Sequence, residues 1–153
     1  MQKTNVHAPE GQPCIFITRE FDLPVALLFK AHAQAQLLAQ WMGTNVIKLE
    51  NKKHGSFQFE TEHNGNVVFS AHGTIHDVVE NKKIVRTFEM HNSDVGVQLE
   101  YLDFEELGKE KSKLSIQINF KSMEHRAAQL KMPFAYGLNS AHQRLQEIGN
   151  QLK

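Results

Sequence analysis

Between residues 45 and 120 apolar side chains recur at every second position, and from residue 133 onward at every third and fourth. Leu114, Ile116, Ile118 and Phe120 alternate with polar neighbours, as do Phe57 and Phe59 with Gln58 and Glu60. Such a period gives a sheet with one apolar face, and that face must be covered. Phe134, Leu138, Ala141, Leu145, Ile148 and Leu152 predict a helix over about 133–151, the only element long enough to cover it. The chain therefore reads as α+β, with a curved antiparallel sheet of about six or seven strands gripping a long C-terminal helix. A bent sheet around one helix does not always fill the space between them, so an internal cavity is expected.

The remaining elements follow from local signals. Residues 1–13 are polar and carry Pro and Gly, which predicts a flexible tail, with a single domain over 14–153. Cys14–Phe21 reads as the first strand. Two short helices follow, the first capped by Asp22 with Pro24 in its first turn, the second ended by Gly43. Asn64-Gly65 marks a hairpin turn, and Glu80 to Lys83 marks the next. The apolar parity slips by one between Tyr101 and Leu102, which predicts a β-bulge there. Residues 123–131 read as a preceding turn of helix.

Charge and cysteine content narrow the class. The 17 basic and 17 acidic residues cancel, which argues against a nucleic-acid partner. Lys48, Lys52, Lys53 and His54 read as a solvated loop. Cys14, the one cysteine, sits in an apolar run and reads as a buried, inert thiol. The sequence shows neither an apolar leader segment nor a stretch suited to membrane insertion, so a cytoplasmic protein is expected, as monomer or homodimer.

Several segments together resemble a known family: Arg19-Glu-Phe-Asp-Leu-Pro24, Leu37-Leu-Ala-Gln-Trp41, Ala71 to Val79 (AHGTIHDVV), Ile84-Val-Arg-Thr-Phe88 and Gly137 to Leu145 (GLNSAHQRL). Their order and spacing over residues 14–152 are similar to the START-like (SRPBCC) superfamily, and within it to the group named after the C-terminal domain of the heat-shock-protein-90 ATPase activator. The resemblance implies a helix-grip fold with a central hydrophobic cavity, and carries a chaperone partner as one implied role. The chain departs from the family at Trp41-Met42-Gly43-Thr44, at Leu138 where a tryptophan is common, and at His142 where a leucine is typical. Those departures fall where such proteins line or close the cavity.

The ligand-binding candidates are thus Trp41, Phe57, Phe59, Ile75, Arg86, Phe88, Tyr101, Phe134, Leu138 and His142. A hairpin turn on Asn81-Lys82 would place Ile75 opposite Phe88 and Asp77 opposite Arg86, making a rim ion pair or freeing Arg86 for a ligand carboxylate. The other face would carry His72 opposite His91, Thr74 opposite Glu89 and His76 opposite Thr87. His72 and His76 are ~13 Å apart along a strand, too far for one zinc ion with Zn–N bonds of about 2.1 Å, so no metal is expected. No phosphate loop, nucleophile elbow, dinucleotide fingerprint or Cys-x-x-Cys pair is present, and no cofactor is expected. Three readings follow. The first is non-catalytic binding of a small hydrophobic or amphipathic molecule. The second is a cavity enzyme of the polyketide cyclase or dehydratase type, using His142 with Arg86 or Tyr101 as acid and base. The third is a chaperone ATPase regulator. His125 and Tyr136 are weaker polar candidates.

Overall fold

The computed structural model describes residues 2–153; Met1, the head of the expected tail, lies outside them. The chain runs β1 (Asn5–His7), β2 (Cys14–Phe21), α1 (Val25–Ala33), α2 (Ala35–Met42), β3 (Asn45–Leu49), β4 (Ser56–His63), β5 (Asn66–Val79), β6 (Lys83–Met90), β7 (Gln98–Gly108), β8 (Lys111–Asn119), α3 (Met123–Lys131) and α4 (Phe134–Leu152). Eight strands form one sheet in the order β1-β2-β8-β7-β6-β5-β4-β3, and every neighbouring pair is antiparallel.

The strand beyond the expected six or seven is β1, which corrects the expectation of a flexible tail. Val6 pairs with Ile17, and Thr4 just before it is buried. One polar side chain of the segment meets polar partners inside the protein: Thr4 contacts both Arg19 and His142.

Turn chemistry sets most boundaries. Asn64 and Gly65 both take positive φ, 53° and 80°, as a tight hairpin between β4 and β5 requires. Gly43 ends α2 in the left-handed conformation at φ 66°, and its N–H returns to Ala39 O at 3.0 Å. Asp22 is not the cap of α1; Pro24 occupies that position, and the Asp22 N–H donates to Gln146 Oε1 of α4 at 2.9 Å. Residues 123–131 form a full helix, whose first turn is closed by His125 N–H on Ser122 Oγ at 3.2 Å.

The sheet bends elsewhere than expected. Strand β7 pairs with β8 without interruption from Leu99 to Glu106, so there is no bulge between Tyr101 and Leu102. The parity slip has another cause: Gln98 and Glu100 point inward and are buried, while Leu99 and Tyr101 point outward. Bulges lie instead at Val68 and His76 of β5, extra against β4 and β6, at Ile47 of β3 and at Leu107 near the end of β7. The His76 bulge, with a turn of three residues at Glu80-Asn81-Lys82, also shifts the expected hairpin register. Ile75 pairs with Arg86, Asp77 with Val85, and His72 with Glu89.

Helix α4 packs on α1 and α2. Its middle, through Ala141 and Leu145, joins one core cluster with Phe21, Leu28, Phe57 and Leu102. Its N-terminal half, through Phe134 and Leu138, flanks a second cluster of Ile15, Ile17, Val95, Ile118 and Phe120.

Candidate functional site

Between the sheet and α4, beside both clusters, the fold leaves a half-open cavity of about 500 Å³. Strands β2, β5, β6, β7 and β8 supply its floor, through residues such as Ile17, Phe69, Phe88 and Leu102. Helices α1 and α2 supply His32, Leu38 and Trp41; the α3–α4 junction supplies Met132 to Phe134; and α4 adds Gly137, Leu138, Ala141 and His142. The wall is mainly apolar and carries few polar groups, the usual composition of a small-molecule site. A separate groove of about 380 Å³ beside Gly43, Thr44 and Thr61 is open surface.

Six of the ten sequence candidates line the cavity: Trp41, Arg86, Phe88, Phe134, Leu138 and His142. Phe57, Phe59 and Ile75 are buried in the adjoining core, where the Phe57 and Phe59 rings lie 4.9 Å apart. Tyr101 is a correction. It stands on the outer face of β7, 39% exposed, because the buried neighbour at this point of the strand is Glu100. Tyr136 is also outside, 78% exposed, and His125 packs against Gly96.

Sequence reasoning missed His32, Gln98, Glu100 and Gln129, which all line the cavity. The slip of apolar parity in β7 was the signal for the middle two. Gln98 Nε2 donates to Gln129 Oε1 at 3.1 Å, joining the sheet to α3. Arg86 Nε donates to Glu100 Oε1 at 2.9 Å, and the guanidinium lies over the rings of Phe57 and Phe88 at 5.1 and 5.8 Å. The expected Asp77–Arg86 pair does not form. Asp77 meets Lys83 at 3.2 Å on the half-exposed end of the hairpin, and its carboxyl is held below the usual range, chiefly by a hydrogen bond from Lys83.

The two cavity histidines are neutral. His32 is buried beside Trp41 and Phe104, and burial lowers its pKa to about 4. Its Nδ1 lies 2.9 Å from Leu28 O, so Nδ1 carries the proton and Nε2 is left as an acceptor. His142 is 1% exposed, and burial, with smaller contributions from His32 and Arg19, lowers its pKa to about 3. Its Nδ1 lies 2.8 Å from Thr4 Oγ1, which also accepts from Arg19 Nη1 at 3.1 Å. Trp41, whose indole N–H donates to Ala31 O at 2.8 Å, stands between the two imidazoles at 5.0 and 6.0 Å. Behind His142, Arg19 is 2% exposed, bound by Thr4, Asn139 and Gln143, and its pKa is lowered by burial.

The outer-face histidines form no metal site. His72 Nδ1 and His91 Nε2 are 2.6 Å apart, in direct contact with each other, and among the described residues no group of three or more His, Cys, Asp or Glu is placed to hold a metal ion.

A family model described as activator of Hsp90 ATPase homolog 1-like protein matches residues 22–150. The chain belongs to this family. Solved structures with the same fold include protein Ms6760 from Mycobacterium smegmatis, at a TM-score of 0.85 and 19% identity, covering 95% of this chain and 96% of that one. A protein from Arthrobacter aurescens gives a TM-score of 0.86 at 14% identity, with 96% and 91% covered. One from Rhodobacter sphaeroides gives 0.84 at 16%, with 95% and 97% covered. At these identities the likeness speaks for the fold alone. No curated protein matches the chain. Within this Hsp90-activator-homologue-like family, the chain keeps the α+β layout of a curved antiparallel sheet and a long C-terminal helix. No helix among the described residues is long and apolar enough to cross a membrane.

Proposed function

We propose that this protein is a non-catalytic cytoplasmic carrier or sensor that holds a small hydrophobic or amphipathic molecule between the sheet and α4. The observation that carries this reading is the cavity of about 500 Å³, mainly apolar, with Arg86 paired to Glu100 and Gln98 to Gln129 on its wall. Volume and lining suit a ligand that buries most of its surface there.

The enzyme reading fares worse on the same residues. A general acid or base works best with a pKa near the operating pH, and burial holds His32 and His142 near 4 and 3. Tyr101, one of the expected partners, is on the opposite face of the sheet from the cavity. The chaperone reading rests on the family's description, whereas the binding reading rests on this chain's own side chains.

Native mass spectrometry of the protein purified from its own host tests the proposal. A retained small molecule that is lost on denaturation is the expected result. If the protein comes through empty, and apolar probes leave the fluorescence of Trp41 unchanged, the binding reading is wrong.

A further inference from the structure

The charge balance of the cavity wall selects among ligands. Its ionisable side chains are His32, Arg86, Glu100 and His142. The two histidines are neutral at neutral pH, so the wall's charge is that of one cation and one anion in contact at 2.9 Å, which sum to zero. Both side chains of that pair are nearly buried, at 13% and 10% exposure, so the charges are little screened by solvent.

The geometry of the pair leaves something over. Glu100 engages Nε of Arg86, while Nη1 and Nη2 make no hydrogen bond to protein among the described residues. The guanidinium rests against the rings of Phe57 and Phe88, and its remaining N–H groups are donors on the cavity wall with no acceptor among the described residues. A ligand oxygen placed there gains a charge-assisted hydrogen bond. If that oxygen belongs to a neutral carbonyl, the pocket stays neutral. If it belongs to a carboxylate, the cation must serve two anions. The second loses its hydration and meets the field of Glu100 in an apolar surrounding.

We infer that the cavity takes an electrically neutral amphipathic ligand whose carbonyl-type oxygen docks on the free nitrogens of Arg86, and that Glu100 excludes the corresponding carboxylate. This rests on the binding reading above and adds the chemical class to it. Glu100 is thereby a specificity residue that acts through the charge it places beside Arg86.

The test is a matched pair of probes, methyl decanoate and decanoate, titrated at neutral pH by calorimetry and by the fluorescence of Trp41. The ester is expected to bind at least about tenfold more tightly than the carboxylate. In Glu100→Gln, which removes the anion and keeps the shape, that ratio is expected to shrink by at least about tenfold, because Arg86 is then free to take the carboxylate. Decanoate binding as tightly as the ester to the unmodified protein overturns the inference and leaves the binding reading standing. So does an unchanged ratio in Glu100→Gln. If neither probe binds, the binding reading falls and takes this inference with it. The comparison on the unmodified protein stands alone if the variant does not fold.

Discussion

Thr4 Oγ1 lies 2.8 Å from His142 Nδ1, a hydrogen bond between residues 138 positions apart. It ties the start of the sheet's edge to the helix that the sheet grips. The same hydroxyl receives Arg19, so one small side chain holds both a buried cation and a cavity imidazole. The N-terminal segment is therefore a wall support of the cavity.

Replacing Thr4 by valine keeps the shape and removes the hydroxyl. Arg19 and His142 then each lose a buried partner, and a buried polar group left unpaired costs about 1–3 kcal/mol. Chemical denaturation of Thr4→Val is expected to show a loss in that range, while Thr4→Ser recovers most of it. A loss below about 0.5 kcal/mol would mean that water replaces the hydroxyl at no cost.

Acid should loosen the fold through the buried imidazoles. In the unfolded chain a histidine titrates near 6.5; folded, His32 and His142 titrate near 4 and 3. Between those values the unfolded chain binds more protons than the folded one, so stability rises with pH there. The contribution is complete above about pH 6.5 and is lost as pH falls toward 4 and then 3, with a total of order a few kcal/mol. Urea midpoints measured from pH 7.5 down to 4.5 should fall, and His142→Gln should flatten that dependence. Equal slopes for the two proteins would rule His142 out as a cause.

Gly73 pairs with Phe57 at the crossing of β4 and β5. A methyl group there would collide with the Thr87 carbonyl oxygen and stand 2.6 Å from two atoms of the Phe57 ring. Neither neighbour is a flexible side-chain end, so the sheet itself must shift. Gly73→Ala is expected to cost about 2–3 kcal/mol in thermal or chemical unfolding, in the range for overpacked cores.

What the sequence made legible was whatever a local rule decides. Leu114 to Phe120 alternate because that strand has one buried face, Asn64-Gly65 turn because both take positive φ, and Gly43 stops a helix for the same reason. What stayed hidden depends on partners distant in the chain. Gln98 and Glu100 look outward by hydropathy, and they turn inward because Gln129 and Arg86 wait for them. That exchange moved Tyr101 out of the cavity and imitated a bulge. Thr4 reads as tail until Arg19 and His142 are seen behind it. The hairpin register of β5 and β6 failed for a different reason: His76 occupies no partner position, and no residue type announces a bulge there.

Leu138 stands at the α4 end of the cavity. It lies on the first turns of α4, lines the cavity and packs against the Ile15, Ile17 and Phe120 cluster. Next to it Gly137, which also borders the cavity, has no atom within 4 Å of where a side chain would start. A larger ring at Leu138 can extend into the cavity without displacing the core, since the free volume is already there. Leu138→Trp is expected to keep the unfolding free energy within about 1 kcal/mol of the parent and to weaken binding of methyl decanoate at least about tenfold by calorimetry. Unchanged affinity in a folded Leu138→Trp protein would place the ligand away from this end of α4, toward Trp41 and His32.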